Sequence, residues 1–202
     1  MFYEPRNGHG LPHDPSKAIV APRPIGWIST LDESGTPNLG PYSFFNMFSS
    51  KPFLVWFSSE GPKDSATHAE ASGEFVVNLV GRDLAEKMNR SGIDAPRGVS
   101  EFEYAGLTTA PSRLVKPPRV AEAHAALECK VTDVMTPRGL DGVPSSVIVV
   151  TGEVIGVYID DAVLRDGLFD IVAAGNVARL GYMDYASVDQ VFSMRRPRWN
   201  KD

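Results

Sequence analysis

Three stretches of the chain combine residue types that could hold an anionic or ring-bearing small molecule. The first is Arg23-Pro24-Ile25-Gly26-Trp27-Ile28-Ser29-Thr30, a β-rich run that ends in two hydroxyls. A strand end of this kind can offer Ser29, Thr30 and backbone N–H groups to a phosphate or a ring edge. It can equally be a core strand, with Trp27 buried and the hydroxyls placed near a turn. The second is Pro41-Tyr42-Ser43-Phe44-Phe45-Asn46-Met47-Phe48. Successive residues of a strand point to opposite faces, so Phe44 and Phe45 cannot both enter one core. One of them is left to meet a ligand or a partner, and Asn46 adds the donor and acceptor needed to read a polar ring edge. The plainer reading is core plus subunit interface, where aromatics also concentrate. The third is Phe57-Ser58-Ser59-Glu60-Gly61-Pro62-Lys63-Asp64-Ser65. An apolar strand runs into two hydroxyls, a Gly-Pro turn, a cation and a helix start. Ser58, Ser59, Lys63 and unpaired helix N–H groups make a reasonable anion site. An ordinary strand–turn–helix junction capped by Asp64 or Ser65 reads from the same residues.

Acid–base and metal chemistry is thin. His9 and His13 lie among prolines and glycines, and His68 falls inside a helical stretch, so all three read as surface groups. His124 precedes a strand and is the one histidine placed to approach a site. No histidine–cysteine–carboxylate spacing fits a metal site. No Gly-x-Ser-x-Gly elbow is present, and no Gly-x-Gly-x-x-Gly follows a strand as a dinucleotide fold requires. The one cysteine, Cys129, alternates with apolar residues and reads as buried and inert. A single cysteine forms no intramolecular disulfide, which fits a reducing compartment.

The elements that must position these residues are mostly strands. Extended segments are expected over Ile19 to Leu31, from near Leu39, over Phe53 to Phe57 and over Phe75 to Val80. Leu127, Cys129 and Val131 alternate with Glu128, Lys130 and Thr132, the pattern of a half-buried strand. Ser146 to Ile159 is the longest candidate, with Gly152 and Gly156 as bend or bulge positions. Helices look short. One runs from Asp64 to Ser72 and stops at Gly73. Another starts at Asp83, with Glu86 completing a capping box and Gly92 as the stop. Residues 93–120 carry Pro96, Pro111, Pro117 and Pro118 and read as a long excursion, functional or packed on a partner. The pattern predicts a mainly β fold, a β-barrel with a few short helices. The 202 residues suit a single domain, with an extended arm over 1–16 and a tail over 186–202 that is basic from Arg195 to Lys201.

Composition excludes several classes. Hydrophobic residues at 43% and charged residues at 22% are globular values, so disorder is not expected. A net charge of −5 speaks against a general nucleic-acid binder, yet a few local cations suffice for one phosphate. No apolar run approaches the roughly 20 residues of a membrane helix, and the start lacks a signal-peptide core. The expectation is a soluble, cytoplasmic protein that uses neither nucleic acid nor membrane.

In order and spacing, these segments resemble the flavin reductase-like family of FMN-binding split-barrel proteins. The resemblance rests on Arg23-Pro24 with Trp27-Ile28-Ser29-Thr30, on Pro41 to Asn46, on Lys63-Asp64-Ser65 and on Gly73 to Leu79. It continues through Glu101-Phe102-Glu103, Ala105 to Thr108, Pro117 to Val120, Leu127-Glu128-Cys129 and Arg179-Leu180-Gly181-Tyr182. No one motif decides it; the series does. The resemblance implies a Greek-key split barrel, non-covalent FMN and a homodimer with flavin near the subunit interface. It implies that Trp27, Ser29 and Thr30 flank the flavin, and that Ser43, Phe44, Phe45 and Asn46 line the isoalloxazine and ribityl region. Ser58, Ser59, Lys63 and Asp64 would surround the phosphate, and Arg179 and Tyr182 would reach the same site or brace the dimer. The family normally lacks a dedicated catalytic acid or base, because the hydride chemistry belongs to the flavin. Some members carry a histidine that helps receive nicotinamide, and His124 stands near a comparable place.

Two flavin functions follow from the resemblance. One is an enzyme, an oxidoreductase that reduces FMN with NADH or NADPH and supplies a partner monooxygenase or another acceptor. The other is an FMN-holding electron-transfer protein without fast nicotinamide turnover. A third reading lies outside flavin chemistry: a structural barrel whose aromatics serve only dimerisation.

Overall fold

The structure, a computed structural model, describes residues 1–96 and 99–199. Arg97 and Gly98 of the excursion, and Asn200 and Lys201 of the basic tail, lie outside the described residues. The strands are β1 (Arg23–Pro24), β2 (Gly26–Leu31), β3 (Pro37–Tyr42), β4 (Phe45–Ser50), β5 (Phe53–Glu60), β6 (Glu74–Asn78), β7 (Thr109–Ala110) and β8 (Arg119–Val120). They continue as β9 (Ala125–Met135), β10 (Val147–Ile159), β11 (Leu164–Arg165), β12 (Leu168–Phe169), β13 (Val177–Arg179) and β14 (Tyr185–Ser187). The α-helices are α1 (Ser16–Ile19), α2 (Asp64–Ser72), α3 (Ala85–Arg90), α4 (Glu101–Ala105) and α5 (Ile171–Ala174).

Seven strands form one antiparallel sheet in the order β3-β2-β6-β9-β10-β5-β4. β6, β9 and β10 are successive neighbours, and β5, which precedes them in the chain, returns beside β10. That is a Greek key. The sheet curls until Tyr42 of β3 meets Phe57 of β5, with ring centroids 5.1 Å apart. β3 and β4 stay at opposite ends of the sheet without pairing, so the barrel is closed by side chains and remains split.

Both faces of the central strands are covered, which explains their continuous apolar runs. Phe75 and Val77 face inward with Ile28, Val55, Phe57, Cys129 and Val150. Val76 faces outward onto Val115 and Ala126. Trp27 and Leu39 also face outward, against Leu84, Met88, Phe102 and Val120. Helix α2 fills one end of the barrel with Ala66 and Ala69, whose small side chains admit it closely. The excursion folds back on its own sheet: Phe102, Ala105, Leu107, Val115 and Val120 are all buried there. Each fully buried large side chain of this set contributes about 1.5–3 kcal/mol.

Local details show where the elements come from. Gly73 ends α2 in the left-handed region at φ 71°, as the helix-stop reading requires. β10 is bulged at the two places its glycines mark, between Thr151 and Gly152 and between Val154 and Gly156. A Cβ on Gly152 would lie 2.6 Å from the Phe75 ring, so glycine is what lets that ring into the core. Three expectations are corrected. Residues 16–19 are helical, because Pro15 opens a turn and the buried Arg23 guanidinium donates back to the carbonyls of Lys17 and Val20. The capping box at Asp83 does not form; a 3-10 turn over Arg82–Leu84 leads into α3 without a side-chain cap. Glu128 is buried, because its carboxylate accepts the N–H groups of Arg113 at 2.9 Å and Leu114 at 2.6 Å and so pins the excursion.

Strand β3 is an edge with unusual chemistry. Pro37, Leu39 and Pro41 alternate along it and pair with Leu31, Ser29 and Trp27 of β2. The prolines have no N–H to give. The N–H of Leu39 points away from β2 and is taken by the Glu101 carboxylate at 3.1 Å.

Candidate functional site

A cavity of about 220 Å³ lies between β3, the turn into α2 and the segment after α3. Its wall includes Asn38, Gly40, Tyr42, Lys63, Asp64, Ser65, Ser91 and Glu101. The turn into α2 is built from the end of β5. Ser59 is fully buried and donates to the carbonyl of Gly61 at 2.9 Å, and Gly61 takes φ 78°. Lys63 then serves as the N-cap of α2 with no side-chain cap bond. An uncapped first turn presents N–H groups and the positive end of the helix dipole toward the cavity.

The floor is a polar network tied to β3. Asn38 is buried and its amide donates to Thr30 Oγ1 at 3.1 Å and Ser65 Oγ at 2.9 Å. The Tyr42 hydroxyl shares hydrogen bonds with Ser65 and Ser59, and burial pushes its phenol above the ordinary tyrosine range. Tyr42 therefore stays neutral and can donate. A Cβ at Gly40 would stand 3.1 Å from Ser65 Oγ, so glycine allows the start of α2 to close on β3. Glu101 is buried, and desolvation raises its carboxyl above the ordinary glutamic range. Lys63 reaches over the opening, 3.7 Å from Asp94, with half of its side chain in solvent.

The sequence-derived candidates do not all gather at the cavity. Lys63 and Asp64 line the cavity. Ser59 and Thr30 stand behind it, holding the turn and Asn38. Ser58 is half-buried on β5. Trp27 and Ser29 are fully buried on the outer face of β2. The Trp27 indole donates to Ser91 Oγ at 2.8 Å, which fixes a residue of the cavity wall. Ser29 donates to the Pro118 carbonyl and ties down the excursion.

The remaining candidates gather elsewhere. Phe44 is exposed between the cations of Lys17 and Arg23, at 5.9 and 5.8 Å. Ser43 and Phe45 are half-buried beside it, and Asn46 is exposed. Arg179 pairs with Arg23 across β1 and β13, stacks on Tyr185 at 4.4 Å and donates to the Tyr182 carbonyl. Tyr182 is exposed at φ 56°. His124 sits just before β9, with Nδ1 3.0 Å from Asp160 Oδ2, and does not line the cavity. Contacts with His124 and the Ala162 N–H hold the Asp160 carboxyl below the usual range, the backbone contact acting more strongly. His68 is half-buried rather than solvated, with Nδ1 shielded and unpartnered.

Asn38, Gly40, Ser91 and Glu101 belong to the site without being sequence candidates. A signal exists for Asn38 and Gly40, which lie between two prolines on a strand edge. Glu101 lies in a segment that carries the family resemblance, while Ser91 carries no signal.

This donor set suits a phosphorylated ligand with a polar ring or polyol. Lys63 and the uncapped helix offer positive charge, and Tyr42 and Ser65 offer hydroxyls. Among the described residues, no group of three or more His, Cys, Asp or Glu is placed to hold a metal ion, and no helix is long and apolar enough to cross a membrane.

The curled, incompletely closed sheet defines a split barrel. The flavin reductase-like domain matches residues 20–179, and the chain belongs to that family. An uncharacterized protein of Halalkalibacterium halodurans is 38% identical over 183 residues, covering 88% of this chain and 87% of the relative. Nitrilotriacetate monooxygenase component B from Bacillus cereus superposes with a TM-score of 0.86 at 25% identity, covering 96% of this chain and 98% of the other. Pseudomonas fluorescens 2-nitrobenzoate 2-nitroreductase superposes with a TM-score of 0.80 at 26% identity, covering 92% and 90%.

Proposed function

We propose that the chain is an NAD(P)H-dependent FMN reductase that binds FMN non-covalently and works as a cytoplasmic homodimer. The observation that carries this reading is the convergence of Lys63, the uncapped start of α2 and the Tyr42–Ser65–Asn38 network on one cavity. Lys63 and the α2 N–H groups would take the phosphate. Tyr42 and Ser65 would orient the polyol, and the β3 edge would face the ring. FMN, when bound, supplies the redox chemistry of hydride acceptance. The protein's task is to hold it with one face open, so that a nicotinamide can stack about 3–3.5 Å away. No acid or base of the chain needs to move a proton for that transfer.

Large apolar side chains left in solvent support the dimer. Phe44, Met47, Phe48, Val157, Phe192 and Trp199 are all exposed, and a second copy would cover such surface. Similarity to a monooxygenase component supports an oxygenase as the acceptor of reduced flavin.

The test is an absorbance spectrum of the FMN-loaded protein under anaerobic conditions. NADH or NADPH should bleach the flavin within seconds. If dithionite bleaches it and neither nicotinamide does over minutes, the chain is an FMN-holding protein and the reductase reading is wrong.

A further inference from the structure

Apart from the Tyr42 phenol, four ionisable side chains line the Lys63 cavity among the described residues: Lys63, Asp64, Asp94 and Glu101. Three of the four are carboxylates, an unusual wall for a pocket that is to hold a phosphate. They are not equivalent. The Asp94 carboxylate is almost wholly in solvent, 3.7 Å from Lys63, so water and that cation screen it. Asp64 is half-buried in the first turn of α2, where the helix dipole favours a negative charge. Glu101 is only 7% exposed, and no lysine or arginine among the described residues forms an ion pair with it.

Glu101 opens α4 and packs on β3. Its carboxylate accepts the Leu39 N–H at 3.1 Å and also its own N–H. Tyr42 faces it from β3, and Asp64 and His68 face it from α2. Glu103 follows on α4 itself. Lys87 and Arg90 of α3 are committed to the far end of that helix, on the carbonyls of Gly106 at 2.9 Å and Tyr104 at 2.8 Å. Burial is the largest influence on the Glu101 carboxyl and raises it; the two N–H groups and His68 oppose the rise, and Asp64 adds to it. A charge with so little water around it acts over several ångströms, so it repels an anion in the same cavity without touching it.

We propose that Glu101 is a specificity-determining residue of this cavity: it sets the preference for a phosphorylated over an unphosphorylated flavin, and admits the phosphate at full strength only in its neutral, protonated form. The role rests on the reading that the FMN phosphate sits between Lys63 and the start of α2. Linkage fixes the rest. If the ionised carboxylate weakens phosphate binding, bound phosphate must favour the proton on Glu101 by the same factor, so FMN binding takes up a proton there. The phosphate moves its own proton the other way. Its second ionisation lies near pH 6, and seating it on a cation and helix N–H groups favours the dianion, which releases a proton. The direction of net proton movement therefore tells the two groups apart.

FMN and riboflavin are the probes, titrated into full-length wild type and Glu101→Gln across the range from about pH 5 to about pH 8, where an elevated carboxyl titrates. Glutamine keeps an acceptor for the Leu39 N–H and removes the charge. At the alkaline end the variant should prefer FMN over riboflavin about fivefold or more beyond wild type, the low end of ordinary coupling between two sites. The gap should close toward the acid end. A merely structural role would lower both affinities together and leave the preference alone. Calorimetry of FMN binding at neutral pH, in two buffers of different ionisation heat, should show net proton uptake by wild type and none by Glu101→Gln. Equal preference in the two proteins at every pH overturns the proposal. So does uptake that persists in Glu101→Gln, which would put the proton on His68. If Glu101→Gln fails to fold, wild-type calorimetry decides alone, and net proton release overturns the proposal. Lys63→Ala, titrated in parallel, keeps the two ideas apart. If it leaves FMN affinity unchanged, the phosphate lies elsewhere, and the cavity reading falls together with the role of Glu101. If it weakens FMN while Glu101→Gln leaves the preference unchanged, only the role of Glu101 falls.

Discussion

Replacing Lys63 by alanine should weaken FMN binding by about 1–1.5 kcal/mol, or roughly five- to tenfold in Kd. The magnitude comes from the exposure of the side chain. A hydrogen bond to a fully charged group is worth about 1.5–3 kcal/mol when well shielded. Lys63 is 54% exposed, and its contact with Asp94 is long, at 3.7 Å, to a carboxylate that is 97% exposed. Exposed pairs of that kind contribute about 0–1 kcal/mol. Breaking the pair to engage a phosphate therefore costs little, and solvent trims the phosphate contact toward the low end of its range. Titration of apo protein with FMN, followed by quenching of flavin fluorescence, measures the difference directly. The gap between wild type and Lys63→Ala should narrow at about 1 M salt, where the screening length falls to about 3 Å. Riboflavin, which lacks the phosphate, should bind both proteins alike. Equal FMN affinities at low salt would remove Lys63 from the site. A matching loss of riboflavin affinity would show that the substitution disturbs the fold rather than a phosphate contact.

Light scattering at micromolar concentration should report a dimer, with an interface above about 2,000 Å² in total; a monomer would argue against a shared flavin site. His124→Ala should leave FMN affinity unchanged and cost under about 1 kcal/mol of stability, since the Asp160 pair is partly solvated; its effect on nicotinamide bleaching decides whether His124 also receives the donor. Burial raises the Glu101 carboxyl, so its contribution to stability is complete below the unfolded pKa and is lost as pH rises through the folded one. Glu101→Gln keeps an acceptor for the Leu39 N–H and should gain stability over wild type as pH rises above the ordinary glutamate value of about 4.3; parallel urea-melt profiles would refute this. Cys129 is buried and its thiol is pushed up by desolvation, so it should resist thiol reagents in native protein and react at once in denaturant.

Local signals were legible in the sequence because they need no partner. The glycine that stops α2, the bulges at Gly152 and Gly156 and the apolar run of β5 each follow from a few adjacent residues. The placing of Lys63 at the start of α2 belongs to the same class. What could not be read depends on tertiary register. Asn38 reaches Ser65 across 27 residues, and Glu101 reaches Leu39 across 62. Nothing near Glu101 marks it as buried, since its partner is a backbone group supplied by another element. Glu128 misled for the same reason: strand alternation places it in solvent, and only the returning excursion explains its burial. Trp27 and Ser29 show the reverse case. Their motif was plain, yet its direction, outward to Ser91 and Pro118, depends on which loop covers the strand.

Two prolines of β3 and the buried Glu101 carboxylate packed against it bear on how copies of this chain can meet. Sheet extension needs a row of outward N–H donors, and exposed rows of that kind drive aggregation and edge-to-edge association. On β3, positions 37 and 41 have none, and the one between them is consumed by Glu101. This edge can accept neither a second copy nor an extended peptide as an added strand. Assembly by strand pairing would have to use the other end of the sheet, where β4 carries Met47 and Phe48 in the open. Replacing Pro37 and Pro41 with valine would restore two of the three outward donors and should increase self-association by light scattering.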